Sequence, residues 1–424
     1  MTEATIQTGS LLKYGGIALP LAFAGLPLYI HAPDLYTRHF GLGIGLIGAI
    51  LLGVRLFDAI QDPVIGFLSD KFSQYRLAII YIGALLMGTG MLGLFSFPAE
   101  HSYTALWFAI NVILATTGFS ILSINLNMIG GFWVNNKTQR TRITTTRESL
   151  SLLGLLLAAA FPSIASQFVS DQTAYSHLAV TFTVLLIIGI WLFQSFLSEL
   201  APHHPIKQGY GQAKWSFLSI LMGQQRRYFT ICFLTYLAAA IPAVMVLFFI
   251  RDYLQAEAWT PLFLIIYFLS GSALMPVWYR LSKKVGKQEA WLLSMLLAVA
   301  TFVWAYTLVP QDYFSYAIIC LLSGCALGAD LALPPSILAD SVENLGEQEE
   351  GSQHFAVLAL MPKIALAIAS GCSFLILEQL SFVPGTNNSQ QALTGLVLLY
   401  AIVPCLIKLL SAFLLWSDIK RQGD

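Results

Sequence analysis

The sequence predicts an all-α integral membrane protein, and its composition is the first observation behind that prediction. Of the 424 residues, 57% are hydrophobic and only 10% are charged, whereas about 25% of the residues of a soluble domain are typically charged. The mean hydropathy is +0.72. The formal net charge is zero and the basic residues form no block, so we expect no nucleic-acid partner.

The second observation is a series of long apolar segments. A helix needs roughly 17 to 25 mostly apolar residues to cross a bilayer, and twelve segments of the sequence meet this requirement. They lie at 14–37, 41–68, 77–97, 104–133, 148–169, 178–199, 228–250, 259–281, 290–310, 313–338, 354–380 and 391–416. We therefore predict twelve transmembrane helices and a multi-pass protein of the cell (inner) membrane.

The third observation is the distribution of lysine and arginine, which accumulate in cytoplasmic loops. Alternate loops carry most of these residues, and the loops of the opposite side hold only Arg38 and Arg251. The basic side contains Lys13, Lys71, Arg76, Lys137, Arg140, Arg142, Arg147, Lys207, Lys214, Arg226, Arg227, Arg280, Lys283, Lys284, Lys287, Lys420 and Arg421. Both termini are therefore predicted to be cytoplasmic.

The longest loop divides the twelve segments into six and six. We predict an N-terminal six-helix bundle at 1–199, a cytoplasmic linker at 200–227 and a C-terminal six-helix bundle at 228–424. Matching halves around such a loop are typical of transporters whose substrate site lies near the membrane midplane between two repeats. The match between the halves consists mainly of prolines at similar places, and a chance similarity is the alternative.

Charged residues inside the second predicted span form the main candidate site. Arg55, Asp58 and Asp62 follow one another at helical spacing, so they share one face of a helix. Acidic residues inside a membrane are costly and usually functional. The alternative is a structural ion-pair cluster, which we regard as weaker because one arginine cannot neutralise two carboxylates.

This pattern suits a small cation or a proton. Two neighbouring carboxylates in a low dielectric either share a proton or hold a cation between them. Pro63 has no N–H, so the carbonyl of Ala59 loses its helical partner and becomes another oxygen ligand, and Gln61 can add a further one. The alternative is that Pro63 only kinks the helix. Arg55 is the expected charge partner, and we hypothesise that it stabilises the cation-free site and yields when the cation enters.

The second half of the sequence contains one acid and one base that we take to be its only plainly intramembrane opposite charges, Asp330 and Lys363. Buried charges usually pair, so a structural salt bridge between them is one interpretation. The other is that Lys363 faces a central cavity and senses the cation site or an anionic group of the substrate.

Three stretches of the sequence resemble the major facilitator superfamily, specifically the melibiose-permease-like glycoside–pentoside–hexuronide:cation symporters. The resemblance covers nearly the whole chain. The stretches are Arg55-Leu-Phe-Asp58-Ala-Ile-Gln61-Asp62-Pro63-Val-Ile-Gly66 with the following Asp70-Lys71, then Lys137-Thr-Gln-Arg140-Thr-Arg142-Ile-Thr-Thr-Thr-Arg147-Glu148, and Gly328-Ala-Asp330-Leu-Ala-Leu-Pro334-Pro335 up to Glu343, with Lys363 in the next span.

The resemblance implies roles for these residues. It assigns Asp58 and Asp62 to a cation site, Arg147 to a sugar site, and Asp70, Lys71 and Arg76 to a gating signature of the loop between spans 2 and 3. Candidates that we place at the cation site are Asp58, Asp62, Gln61, Ala59, Ser123 and Asn127; candidates that we place at the substrate site are Arg147, Asn125, Tyr29 and Tyr267.

Two departures from the family pattern concern acidic residues. The sugar permeases of this family carry an acid in the first span, where this chain has Ala22. They carry a second acid in the fourth span, where this chain has Ser123, Asn125 and Asn127. We therefore expect the cation site to lack one ligand or to recruit Ser123 or Asn127 in its place.

The resulting hypothesis is a secondary active symporter that couples Na⁺ or H⁺ entry to the uptake of a small solute by alternating access. A sugar or glycoside is the default of the family, and a lipid-like or other amphipathic solute is the alternative. An enzyme is not expected, because every histidine lies at a helix end or in a loop and no cysteine has a plausible catalytic partner. We expect a monomer without a cofactor, whose partners are the solute, the coupling ion and the bilayer.

Overall fold

The computed structural model describes residues 6–25, 27–38, 40–96, 103–134, 136–165, 168–200 and 214–423. Within these ranges the regular secondary structure is entirely helical. Long apolar segments force this outcome, since a backbone inside lipid must satisfy its own hydrogen bonds. The prediction of an all-α membrane fold is therefore confirmed.

Nine α-helices lie in the described residues up to Met222. They are α1 (Thr8–Gly15), α2 (Ala18–Phe23), α3 (Ala32–Arg38), α4 (Ile44–Lys71), α5 (Arg76–Phe95), α6 (Thr104–Phe132), α7 (Lys137–Ala165), α8 (Asp171–Leu200) and α9 (Phe217–Met222). A π-helical turn at Pro27–His31 connects α2 and α3, and a 3-10 turn at Ser73–Tyr75 precedes α5.

The second half forms seven more α-helices. They are α10 (Arg226–Phe248), α11 (Thr260–Val285), α12 (Lys287–Phe302), α13 (Tyr313–Leu345), α14 (Gly351–Gln379), α15 (Gln390–Val397) and α16 (Val403–Gly423). A π-helical turn at Phe249–Tyr253 extends α10, and another at Leu398–Ile402 joins α15 to α16. 3-10 turns lie at Glu257–Trp259, Val303–Thr307 and Gln348–Glu350.

Ten helical segments of the described chain are long and apolar enough to cross a membrane. Two further helices, α4 and α7, coincide with predicted spans but are not among the ten. α4 contains the candidate site, and the first half of α7 contains Lys137, Arg140, Arg142, Arg147 and Glu148. Most of the candidate residues of the first half lie on these two helices.

The chain folds into two compact units. The first contains residues 1–217 together with Leu338–Val357, and the second contains Leu218–Ile337 together with residues 358–424. Residues from the end of α13 and the beginning of α14 therefore belong to the first unit although they lie late in the sequence.

The first unit is held together by close helix packing between α5 and α6. A Cβ atom added to Gly118 would lie 2.4 Å from the carbonyl oxygen of Gly83, and one added to Gly90 would lie 2.6 Å from the carbonyl oxygen of Asn111. Backbones that approach this closely require small residues, which is how membrane helices gain packing energy where the hydrophobic effect is absent. This packing fixes α6, which faces the candidate site on α4.

The second unit has an aromatic core. The rings of Phe249 and Tyr400 stack with centroids 4.0 Å apart, and the hydroxyl groups of Tyr316 and Tyr400 are 2.7 Å apart. Both tyrosines are buried, so each hydroxyl group finds its hydrogen-bond partner inside the unit.

Candidate functional site

The candidate cation site lies on α4, in the first unit. The helix continues through Pro63, so Asp58 and Asp62 lie one turn apart on the same face. Their side chains are almost completely buried, with 1% and 0% of their surfaces exposed. Burying a carboxylate without compensation is costly, and two of them in one turn demand a positive charge or a shared proton.

Gln61 links the α4 acids to α6. Its amide nitrogen donates a hydrogen bond to Asp58 Oδ1 at 2.5 Å, and its amide oxygen accepts one from the hydroxyl group of Thr117 at 2.9 Å. Thr117 was not among the residues predicted from the sequence for this site. The sequence shows Thr117 only as a hydroxyl residue within a predicted apolar span. The packing of α6 on α4 is needed to show that it reaches Gln61.

Pro63 is buried inside α4. Without an N–H it cannot donate to the carbonyl of Ala59, four residues earlier. That carbonyl belongs to the turn between Asp58 and Asp62. The helix thus offers a backbone oxygen near the two carboxylates, which is the ligand type that a hard cation prefers.

Arg55 lies one turn before Asp58 and contacts the π-helical turn between α2 and α3. Its guanidinium carbon is 3.8 Å from the centroid of the Tyr29 ring, a distance typical of a close cation–π contact. Tyr29 lies in the π-helical turn Pro27–His31. The structure therefore places Tyr29, a predicted substrate residue, against the charge partner of the candidate cation site.

The predicted substrate residue Arg147 lies at a second polar cluster, between α6 and α7. Its guanidinium group is buried and donates to Asn127 Oδ1 and to Glu148 Oε1, the latter at 2.9 Å through Nε. Asn127 in turn donates to the carbonyl of Ser123 at 2.8 Å. The structure thus brings Asn127, expected as a cation ligand, to Arg147, and Ser123 lies one turn before Asn127 on α6. Thr117 is an α6 residue that reaches Asp58 through Gln61.

Two of the predicted gating residues, Asp70 and Arg76, form a third cluster, also in the first unit. Asp70 accepts hydrogen bonds from the backbone N–H groups of Ser352 and Gln353, at 2.9 and 3.0 Å, and Arg76 Nη2 lies 3.6 Å from the same carboxylate. These N–H groups belong to the first turn of α14, where the helix dipole favours a negative charge. Lys71 is exposed and lies 5.7 Å from the rings of Phe67 and Phe72.

Asn125 belongs to this gating cluster as well. Its amide oxygen accepts a hydrogen bond from Arg76 at 3.0 Å, and its amide nitrogen donates to Ser69 Oγ at 2.9 Å. Arg76 also donates to Ser352 Oγ at 2.8 Å. Asn125, which we expected at the substrate site, is therefore fully buried and engaged by neighbours of Asp70.

Buried Arg140, at the beginning of α7, makes two ion pairs with the end of α13. Its Nη1 atom is 3.0 Å from Asp340 Oδ1 and 2.7 Å from Glu343 Oε2. All three residues belong to the first unit. Together with the Asp70 contacts, these pairs attach both ends of the segment Leu338–Val357 to the rest of that unit.

In the second unit, Asp330 pairs with a lysine that the sequence analysis overlooked. Its carboxylate contacts Lys408 Nζ on α16 and accepts a hydrogen bond from Trp291 Nε1 at 3.0 Å. All three side chains are buried. The expectation that Asp330 and Lys363 are the only intramembrane opposite charges of this half is therefore wrong.

Lys363 lies half-buried on α14, and Tyr267 packs on the aromatic core of this unit.

We predict that replacing Lys408 alone destabilises the protein, because Lys408→Met leaves the Asp330 carboxylate buried without its cation. Loss of one partner of a buried pair typically costs about 3–5 kcal/mol. Thermal unfolding of the purified protein in detergent measures this effect. The double variant Lys408→Met/Asp330→Asn removes both charges but keeps an acceptor for Trp291, so it should recover most of the lost stability. A single variant as stable as the wild type would contradict a structural ion pair.

Comparison with known proteins identifies the family. A family model described as MFS/sugar transport protein matches residues 12–417. The uncharacterized symporter YnaJ of Bacillus subtilis is 21% identical over 94% of this chain and 88% of the relative. A putative sulfoquinovose importer of Escherichia coli is 23% identical over 89% of this chain and 83% of the relative.

A solved structure supports the same fold. The structure of a proton:xylose symporter of the major facilitator superfamily matches 96% of this chain and 94% of its own, with a TM-score of 0.68 and 13% sequence identity. At that identity the match concerns the fold alone. Together with the match of the family model to residues 12–417, these findings show that this chain belongs to the MFS/sugar transport protein family and is a multi-pass membrane transporter of the major facilitator superfamily.

Proposed function

We propose that this protein is a secondary active symporter, which couples the entry of Na⁺ or H⁺ to the uptake of a small sugar-like solute by alternating access. The observation that carries the proposal is the pair of buried carboxylates, Asp58 and Asp62, one turn apart on α4. Ionisation of both carboxylates costs free energy when no ion is bound. A bound cation or proton therefore stabilises this site strongly.

The coupling-ion site comprises oxygen atoms of a small set of residues. Asp58 and Asp62 provide charge, Gln61 positions the Asp58 carboxylate, and the Ala59 carbonyl adds a backbone oxygen. Thr117 orients the Gln61 amide through its 2.9 Å hydrogen bond. Because Thr117 brings no charge, the two aspartates carry the negative charge of this site themselves, and this makes proton coupling as plausible chemically as sodium coupling.

A sugar or glycoside is the solute class that the relatives favour. One relative is named a putative sulfoquinovose importer, and a proton:xylose symporter shares the fold. In this chain Arg147 is the proposed substrate residue of the first unit, because its buried guanidinium group already bonds Asn127 and Glu148 and is held in one position. A positioned arginine suits hydroxyl or acidic groups of a sugar.

The Asp70 cluster is the proposed gate. Asp70 binds two N–H groups of α14, and Arg76 joins Asp70, Asn125 and Ser352 in one buried network. Alternating access requires such contacts to break and re-form. A helix N-terminus held by a carboxylate is a contact of moderate strength, so it can open without unfolding the segment.

We predict that uptake of a radiolabelled sugar panel into proteoliposomes depends on an imposed Na⁺ or H⁺ gradient. Asp58→Asn and Asp62→Asn should each abolish this dependence, because each removes half of the negative charge that attracts the ion. A Glu199→Gln variant is the matched control, since Glu199 is a half-exposed carboxylate at the end of α8 that pairs with Lys13. Uptake that ignores both gradients and both aspartate substitutions would refute symport.

We also predict that both termini and the 200–227 loop are cytoplasmic, from the lysine and arginine distribution. In a cysteine-free background, single cysteines in place of Lys71 and Lys214 should react with an impermeant maleimide in inside-out vesicles but not in intact cells. A cysteine in place of Gln311, on a loop assigned to the opposite side, should show the reverse pattern. Labelling of both lysine positions from outside the cell would overturn the orientation.

The gate predicts a change in accessibility at Ser69, which is buried beside Asp70. A Ser69→Cys reporter should react faster with a permeant maleimide when Asp70→Ala removes the acceptor for the α14 N–H groups, by about tenfold if the lost contact contributes about 1.4 kcal/mol. Glu199→Gln again provides the control. An unchanged labelling rate would show that Asp70 does not hold this region closed.

A further inference from the structure

We propose that Tyr29 is a positioning residue of the cation site, and that its ring holds the Arg55 guanidinium group while the α4 carboxylates bind the coupling ion. This inference rests on the proposed function. It moves Tyr29 from the predicted substrate site to the coupling machinery.

Arg55 and Tyr29 are in close contact. The guanidinium carbon of Arg55 lies 3.8 Å from the Tyr29 ring centroid, well inside the distance of about 6 Å at which a ring attracts a cation. Both side chains are half-buried, and partial removal from water strengthens the attraction. The ring face thus supplies a second, uncharged partner for an arginine that shares its helix face with two carboxylates.

An unusual backbone conformation positions the Tyr29 ring. Tyr29 is the central residue of the π-helical turn Pro27–His31, which interrupts the helical path between α2 and α3. A π turn accommodates one extra residue and so rotates the side chains that follow it, and such turns are frequent at functional sites. The turn begins at Pro27, which has no N–H to donate to an α-helical ladder.

Charge repulsion explains why Arg55 needs such a partner. Arg55 shares one helix face with Asp58 and Asp62, so a cation bound by these carboxylates repels the guanidinium group. The Tyr29 ring, whose centroid lies 3.8 Å from the guanidinium carbon, stabilises Arg55 in this state without adding a negative charge that would compete with the carboxylates for the ion.

The packing of Gln61 supports this division of roles. Gln61 donates to Asp58 Oδ1 while its oxygen is bonded to Thr117, so the Asp58 carboxylate has a neutral donor that stays in place during exchange of the ion. Tyr29 thus positions Arg55, and Gln61 positions Asp58. Both side chains are uncharged, so neither competes with the carboxylates for the ion.

The test measures cation binding to the purified full-length protein by thermal stabilisation, since a ligand that binds the folded state raises its stability. The probes are Na⁺ alone, titrated as NaCl against choline chloride at fixed pH, and H⁺ alone, titrated in sodium-free buffer. Tyr29→Leu keeps an apolar side chain but removes the ring, and Tyr29→Phe keeps the ring but removes the hydroxyl group.

We expect Tyr29→Leu to raise the half-saturating concentration of the coupling ion about tenfold, and Tyr29→Phe to stay within about twofold of the wild type, because the ring face makes the contact. In an Arg55→Ala background, Tyr29→Leu should have no further effect on ion binding. This non-additivity distinguishes a positioning role from simple packing, which would lower stability equally with and without Arg55.

Three results would overturn the inference while leaving the coupling site intact: wild-type ion affinity in Tyr29→Leu, an equal loss in Tyr29→Phe, or a Tyr29→Leu effect that persists without Arg55. A wild-type protein that neither Na⁺ nor H⁺ stabilises would instead refute the proposed cation site, and this inference with it. The two failures are therefore distinguishable in one set of titrations.

Discussion

The constraint on which the first unit depends is the cost of burying Asp58 and Asp62 on one turn of α4. Carboxylates removed from water need compensation, and every neighbour described above supplies part of it. Arg55 brings a positive charge, Gln61 a hydrogen bond, and Pro63 a backbone oxygen for an arriving ion. Under the proposed function, a bound cation or a shared proton adds to this compensation.

Other buried charges of the first unit lie in networks of ion pairs and hydrogen bonds. Arg147 has Glu148 and Asn127, Arg140 has Asp340 and Glu343, and Arg76 has Asp70 with two further hydrogen-bond acceptors. Arginine suits such places because its planar group forms several directed hydrogen bonds at once. These networks attach α7 and the segment Leu338–Val357 to the rest of the first unit, and the part around Asp70 is the one proposed to open during transport.

The sequence alone predicted much of this fold but less of the site. Hydropathy located most of the helices, because the thickness of a bilayer sets their length, but it placed the beginning of α7 eleven residues too late, since the first turns of α7 are polar. It also singled out α4, since charges in an apolar run are visible without a structure. Contacts between helices were not visible: Thr117, Asn125 and Asn127 are ordinary polar residues of one helix, and only packing decides that Thr117 reaches Gln61 while Asn125 reaches Arg76. Lys408 was missed although it is a lone lysine in an apolar span, since the direction in which it points depends on α13.

The buried acids of the two units have different surroundings. Asp330 meets Lys408 from another helix and a fixed donor from Trp291, so its charge is already neutralised by the fold. Asp58 and Asp62 lie one turn apart on the same helix, where each disfavours ionisation of the other. An acid held by a lysine and a fixed donor stabilises one structure, whereas two acids one turn apart gain from an ion or proton that they share. We therefore propose that coupling depends on the spacing of the two acids rather than on the presence of acids as such.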